Sequence, residues 1–165
     1  MAEPATTSET GGVDVDFRKA MRRLSSAVAI VVAEGVDGFT GMAATSITSL
    51  TVEPPSVLVC VNKTASLHAC IVDGAPFTVN LLSRHQREVS AAFGGAVARE
   101  LRFTVGQWTR DPYGIPMLDD TQANLSCVVD GIMAYGTHSI VVGRVRHVRL
   151  TGEVAPLIYQ DGNYL

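Results

Sequence analysis

The chain is poor in charge and in anything that holds a metal. Asp, Glu, Lys and Arg make up 18% of its 165 residues, against 47% hydrophobic residues. That balance belongs to a globular chain, and so little charge leaves apolar surface for a partner subunit to cover. The net charge is -3. Nucleic-acid binding needs a basic face, and the only dense basic group, Arg144, Arg146, His147 and Arg149, is short. The four histidines, His68, His85, His138 and His147, form no H-x-x-x-H pair and none lies near a C-x-x-C, so no metal site is expected. The three cysteines, Cys60, Cys70 and Cys127, are an odd set without close spacing, which predicts reduced thiols. No apolar run reaches the length of a membrane span. The N-terminus lacks a basic start followed by an apolar run, so a cytoplasmic chain without a secretory leader is expected.

Several catalytic signatures are missing too. Without G-x-G-x-x-G and a βαβ rhythm, a doubly wound dinucleotide fold is excluded. Without G-x-S-x-G there is no nucleophile elbow. Cys60 sits inside an apolar strand, where a catalytic nucleophile is not expected. No Walker lysine motif is present.

What is present reads as strands with helices inserted. Residues 1–15 are rich in Ala, Thr, Ser, Glu and Gly and predict a flexible tail. Residues 16–165 then form one domain. Asp16 is placed to cap a helix whose apolar positions are Phe17, Ala20, Met21, Leu24 and Ala27. Ala27–Ala33 is an unbroken apolar run, a strand buried on both faces. Phe39–Ser49 reads as its hairpin partner after a turn at Val36-Asp37-Gly38, and Val57–Val61 as a third strand. A helix is expected over Lys63–Gly74 with Ser66 as N-cap. Phe77–Leu82 is a strand, Ser83 to Gln86 has capping-box spacing before a helix through Val89, Ala92 and Phe93, and Gly94–Pro116 is loop anchored by Phe103 and Trp108. Ala123–Asp130, Ser139–Leu150 (with a bulge at Gly143) and Pro156–Tyr159 complete the set. About six or seven strands and two or three helices predict a mostly β chain of α+β type, an antiparallel barrel carrying helices.

The stretch Gly41–Ser66 concentrates the candidate chemistry. Thr45, Ser46, Thr48, Ser49 and Thr51 crowd hydroxyls beside the apolar strand around Cys60. Asn62, Lys63 and Ser66 add an amide, a cation and a helix start, the parts of an anion site; ordinary turn chemistry uses the same residues. His138 is either a cofactor contact or a solvated turn histidine. Asn80, centred in an apolar strand, needs a partner, either neighbouring backbone or a ligand ring.

The ordered motifs resemble the flavin reductase-like family, the small NAD(P)H:flavin oxidoreductases that serve two-component monooxygenases. Its opening F-R-x-A-M stands as Phe17-Arg18-Lys19-Ala20-Met21 and its G-M-T-A-N-S segment as Gly41 to Ser46, running on to Pro54-Pro55. C-V-N-x-x-S-x-x-H is Cys60 to His68, F-x-V-N-x-L is Phe77 to Leu82, R-F is Arg102-Phe103, G-D-H-x-I is Gly136 to Ile140, and the closing P-L-x-Y is Pro156 to Tyr159 with Tyr164 beyond. The resemblance implies a split β-barrel, a homodimer, FMN or FAD as flavin, NADH or NADPH as hydride donor, and a reduced-flavin-dependent monooxygenase as functional partner. It carries flavin contacts onto Ala44, Thr45, Ser46, Thr48, Ser49, Leu50, Cys60, Asn62, Lys63, Ser66, Phe77, Asn80, Arg102, Phe103 and Tyr164. His138 is implied beside the nicotinamide. The chain departs from the family pattern at Thr45 (Asn), Ile47 (aromatic) and Thr137 (acid). The rival readings are a non-catalytic flavin-binding relay of the same fold and a flavoenzyme reducing another acceptor, such as a ferric chelate.

Overall fold

In the computed structural model, which describes residues 12–165, one strand after another turns back on its predecessor. The elements are α1 (Val13–Met21), β1 (Ser26–Ala27), β2 (Ala29–Gly35), β3 (Gly38–Ala44), β4 (Ile47–Val52), β5 (Pro55–Asn62), a 3-10 turn (Ser66–Cys70), β6 (Pro76–Leu81), α2 (Arg87–Ala91), a wide turn (Ala92–Ala96), a second 3-10 turn (Arg99–Thr104), β7 (Trp108–Arg110), β8 (Pro116–Leu118), β9 (Ala123–Tyr135), β10 (His138–Leu150), β11 (Ile158–Gln160) and β12 (Asn163–Tyr164). Most of the tail expected over residues 1–15 lies outside the described residues. Val13 to Asp16 are already helical, so α1 starts before the expected Asp16 cap.

Seven strands form one antiparallel sheet in the order β3-β2-β6-β9-β10-β5-β4. The expected single strand Phe39–Ser49 is in fact two. It breaks at Thr45-Ser46, and β4 pairs with β5 instead of β2. β3 and β4 therefore follow each other in sequence yet hold opposite edges of the sheet. The three Cα steps from Ala44 to Ile47 reach at most about 11 Å, so the sheet must curl until its edges meet there. No ladder joins β3 to β4, and the result is a split barrel. The short turn Ser66–Cys70, where a longer helix was expected, packs against β2, β3 and β5 and buries Leu67 completely.

β2 explains its own composition. Val31 and Ala33 point into the curled sheet with Val59, Val61, Phe77, Val79 and Cys127. Ile30 and Val32 point out, into a second core with Leu82, Val89, Phe93, Leu118 and Leu157. A strand with a core on each face must be apolar at every position. Phe103 and Trp108 anchor the long connection as expected, packing on Phe93 with ring centroids 5.1–5.4 Å apart. Gln86 Oε1 accepts from the Ser83 N–H at 3.0 Å, but α2 starts only at Arg87 and Ser83 Oγ donates to the Asp120 carbonyl, so the pair closes a turn before the helix instead of the expected capping box. At Gly143 the β9–β10 register shifts, and a Cβ there would overlap the Phe77 ring. β1, β11 and β12 form a small separate sheet at the chain's end.

Candidate functional site

The link that splits the barrel also shapes a hollow beside it. Where β3 ends at Ala44 and the chain crosses to β4, the wide turn after α2 and the terminal hairpin β11–β12 rise on either side. They leave a hollow of about 340 Å³ floored by Val28, Ala43 and Ala44 and walled by Thr45, Ser90, Gly94, Tyr159 and Tyr164. Its lining carries no charged side chain. The Tyr164 hydroxyl is fixed on Ser90 Oγ at 2.9 Å, and its ring meets Tyr159 edge-on at 5.3 Å. A Cβ built on Gly94 meets nothing, so this wall is left open by the sequence.

A second hollow, of about 560 Å³, adjoins it through Thr45 and Tyr159. It lies between α1 and the terminal hairpin, with Phe17, Arg18, Met21 and Arg22 on one side and Ser46 and Asp161 among those on the other. Arg22 Nε donates to Asp161 Oδ1 at 2.6 Å, a contact that raises the guanidinium pKa further. The backbone reinforces it, with the Asp161 N–H donating to the Arg22 carbonyl.

The expected site residues divide by this geometry. Ala44, Thr45, Ser46 and Tyr164 come together around the two hollows. Thr48, Ser49 and Leu50 are exposed on edge strand β4 and line neither. Cys60 is tied to the link instead, its N–H donating to the Ser46 carbonyl and its carbonyl accepting from Ser46 Oγ, both at 3.1 Å. The Asn62–Ser66 turn uses its polar groups on itself and its neighbours. Asn62 Oδ1 accepts from Thr64 N–H and Oγ1, Lys63 Nζ donates to the Gly136 carbonyl at 2.8 Å, and Ser66 Oγ shares a hydrogen bond with Thr40. His138 stands opposite Asn62 at the start of β10, exposed, with Nδ1 on its neighbour Thr137 Oγ1 at 2.9 Å.

Two expected contacts are corrected. Phe77 is 1% exposed and packs in the inner core. Asn80 is fully buried, and its amide is saturated by the protein. Nδ2 donates to the Ile30 carbonyl, while Oδ1 accepts from Leu118 N–H and Asn124 Nδ2 at 2.9 and 2.7 Å. Nothing of Asn80 is left for a ligand, because the outer core and β8 cover it. Arg102 reaches the Gly41 carbonyl at 3.2 Å and Phe103 joins the aromatic cluster, so this pair braces the outside of β3.

Ser90, Gly94 and Tyr159 were not among the expected site residues. The signal for the first two was the small-residue run Ser90-Ala91-Ala92, interrupted by Phe93, then Gly94-Gly95-Ala96, which leaves space instead of filling it. Among the described residues no group of three or more metal-ligating side chains occurs, and no helix is long and apolar enough to cross a membrane.

The hollow at the Ala44-Thr45 link has the size of a small-molecule site. Its volume falls at the lower end of the roughly 300–1,000 Å³ typical of small-molecule sites. The small Ala43 and Ala44 on its floor and Gly94 in its wall leave backbone close to the open space, and hydroxyls of Thr45, Ser90 and Tyr164 mark a polar edge. Residues 21–165 match the model of the flavin reductase like domain. The chain belongs to this family. It is 34% identical over 162 residues to the FMN reductase (NADH) RutF of Methylorubrum extorquens strain DM4, covering 96% of this chain and 79% of that one. It is 36% identical over 155 residues to the reductase component of the FADH2-dependent resorcinol hydroxylase of Rhizobium sp. MTP-10005, covering 93% and 87%. The Streptomyces globisporus NADH:FAD oxidoreductase SgcE6, solved with NAD and FAD fragments, superposes with a TM-score of 0.84 at 25% identity, covering 93% of this chain and 92% of that one.

Proposed function

We propose that the protein is an NADH-dependent flavin reductase that hands reduced FMN or FAD to a separate monooxygenase. The observation that carries this is the uncharged, small-residue hollow at the Ala44-Thr45 link. A hydride passing between two stacked rings needs a flat slot, close backbone and little water, and it needs no acid or base. In this reading Ala43 and Ala44 give the ring its floor and Tyr164, held by Ser90, gives it a wall. Thr45 and Ser46 offer hydroxyls along its edge. When bound, the flavin itself supplies the hydride-accepting chemistry. The NADH preference is supported by the RutF relative, and the partner oxygenase by the relative that is a hydroxylase's reductase component.

A homodimer completes the proposal. Phe17, Met21 and Leu24 on and beyond α1, and Ile132, Met133 and Tyr135 on the long β9–β10 hairpin, are 44–79% exposed. An exposed apolar set of this kind favours a covering subunit. In such an assembly His138 and the Asn62-Lys63 turn serve a neighbouring hollow. Three unpaired cysteines support a reducing, cytoplasmic setting.

The test is NADH oxidation by purified protein with FMN or FAD, measured against flavin alone. Stimulated oxidation is expected. Flavin binding without any NADH consumption above the control would leave the relay reading in its place.

A further inference from the structure

The flavin reading leaves the one dense basic group of the sequence, Arg144, Arg146, His147 and Arg149, without a task. The fold splits this group. Arg149 is consumed by the protein, donating to Asn124 Oδ1 and the Leu118 carbonyl and pairing with Asp119. Arg144 and Arg146 instead line a hollow of about 300 Å³ beside β9 and β10, bounded by the turn at Asp73 and by Tyr113. It shares no residue with the two hollows at the Thr45 link. Its Val128 pairs with Pro76 at the start of β6, whereas Leu81 at the end of β6 pairs with Ala29, the partner of Ala44. The two regions therefore stand about 16 Å apart along the strands.

The lining is irregular and only partly used. The β9–β10 pairing slips at Val142/Gly143 and again at Val145/His147, on either side of Arg144. Slips of this kind re-aim side chains and gather next to sites. An Nη of Arg144 pairs with Asp130 Oδ1 at 3.0 Å, while its Nε is shielded from solvent and has no hydrogen-bond partner among the described residues. The side chains of Arg146 and Asp73 form neither a hydrogen bond nor an ion pair among the described residues. Asp111 accepts from the Tyr113 and Ile115 N–H groups at 2.9 and 2.8 Å, which fixes the turn that carries the Tyr113 ring.

We infer that this hollow binds a free α-amino acid, with its carboxylate on Arg144 Nε and Arg146 and its ammonium on Asp73. The balance of charge selects the class. Two guanidinium groups stand with two carboxylates, Asp73 and Asp130, so the lining carries no net charge and exerts no net pull on a bare anion or a bare cation. A molecule that carries both charges a few bonds apart meets both. The shielded Nε–H of Arg144 needs an acceptor, and a carboxylate oxygen supplies one in a charge-assisted bond. Arg146 and Asp73 are the remaining cation and carboxylate. Val128 and the Tyr113 ring, 46% exposed, offer apolar surface to the ligand's side chain. The volume lies at the lower end of the range for small-molecule sites, which suits a ligand of this size. No residue given to the flavin or to the covering subunit takes part, so the inference stands apart from the reductase reading.

The experiment is titration calorimetry on the full-length protein with L-valine and L-phenylalanine. Each is compared with its two halves, the acid that lacks the amino group and the amine that lacks the carboxyl group, and with phosphate. At least one amino acid binds about tenfold or more tighter than its halves and than phosphate. Arg146→Gln and Asp73→Asn each weaken that binding by about tenfold or more, through the loss of one charge-assisted contact. Both positions are exposed, so the variants keep the unfolding midpoint of wild type. The absence of binding by either amino acid up to about 50 mM overturns the inference. Equal affinity for the acid half or for phosphate also overturns it, since that marks a plain anion site. Wild-type amino-acid affinity in either variant does the same, because the binding then lies elsewhere. None of these results touches flavin-stimulated NADH oxidation, and a protein without that oxidation leaves this inference standing.

Discussion

Two polar neighbourhoods of this protein are built on opposite terms. Around Asn80, every hydrogen-bonding group of the amide is engaged by the chain itself, and Arg149 extends the network by donating to Asn124 Oδ1 and the Leu118 carbonyl at 2.8 and 2.9 Å. Around Thr45, by contrast, small side chains stand back from a hollow. A buried polar group that is fully satisfied holds structure together; one that faces open space is available to a ligand. The same chemistry of amide and hydroxyl is thus used up by the fold on one side of the sheet and faces open space at the sheet's meeting edges.

That contrast is open to direct attack. The largest effect is expected from Asn80→Leu, which orphans the Leu118 N–H and takes one of the two acceptors of the Asn124 Nδ2 group. Stability should fall by about 4 kcal/mol, seen as a lower midpoint in urea unfolding. If the loss were instead confined to flavin affinity, with the midpoint unmoved, Asn80 would belong to the site after all. Gly94→Leu probes the other side. The position faces open space, so the unfolding midpoint should move little, while flavin affinity drops by about tenfold or more as the hollow fills. Retained wild-type flavin binding in that variant would detach the hollow from the flavin.

The smallest effect appears only in alkali. Burial, with a lesser contribution from the Asp111 charge, pushes the Cys127 thiol from its ordinary 9.0 up to about 12. The folded chain then holds a proton that the unfolded chain releases. The contribution is complete below pH 9 and drains away as pH rises toward 12, at up to about 1.4 kcal/mol per pH unit. Cys127→Ala should flatten that decline in chemical denaturation, whatever it costs in packing at neutral pH. An identical alkaline slope in the variant would assign the decline to other groups.

Much of the fold was legible in the residues. The run Ala27 to Ala33 announced a strand with a core on both sides, Gly143 a bulge in the last long strand, and Phe103 and Trp108 their anchoring. Helix α1 was legible as amphipathic but not as exposed, because periodicity gives a face and says nothing of what covers it. The break at Thr45-Ser46 was missed for a similar reason: both sides of it favour extended backbone, and only the closing of the sheet sends β4 to the far edge. Of the expected contacts, Ala44, Thr45, Ser46 and Tyr164 meet around the two hollows. Asn80 and Phe77 lie buried instead, because an amide and a ring in a strand look alike in sequence whether they meet a ligand or a core.

The sequence by itself determined most of the strands, the apolar faces and the family, since alternation and turn chemistry act between residues a few positions apart. The tertiary structure alone decided which polar groups are free. That depends on which strand end meets which, and the curl of the seven-stranded sheet brings Thr45, Gly94 and Tyr164 to one hollow from segments far apart in the chain while sealing Asn80 behind Leu118.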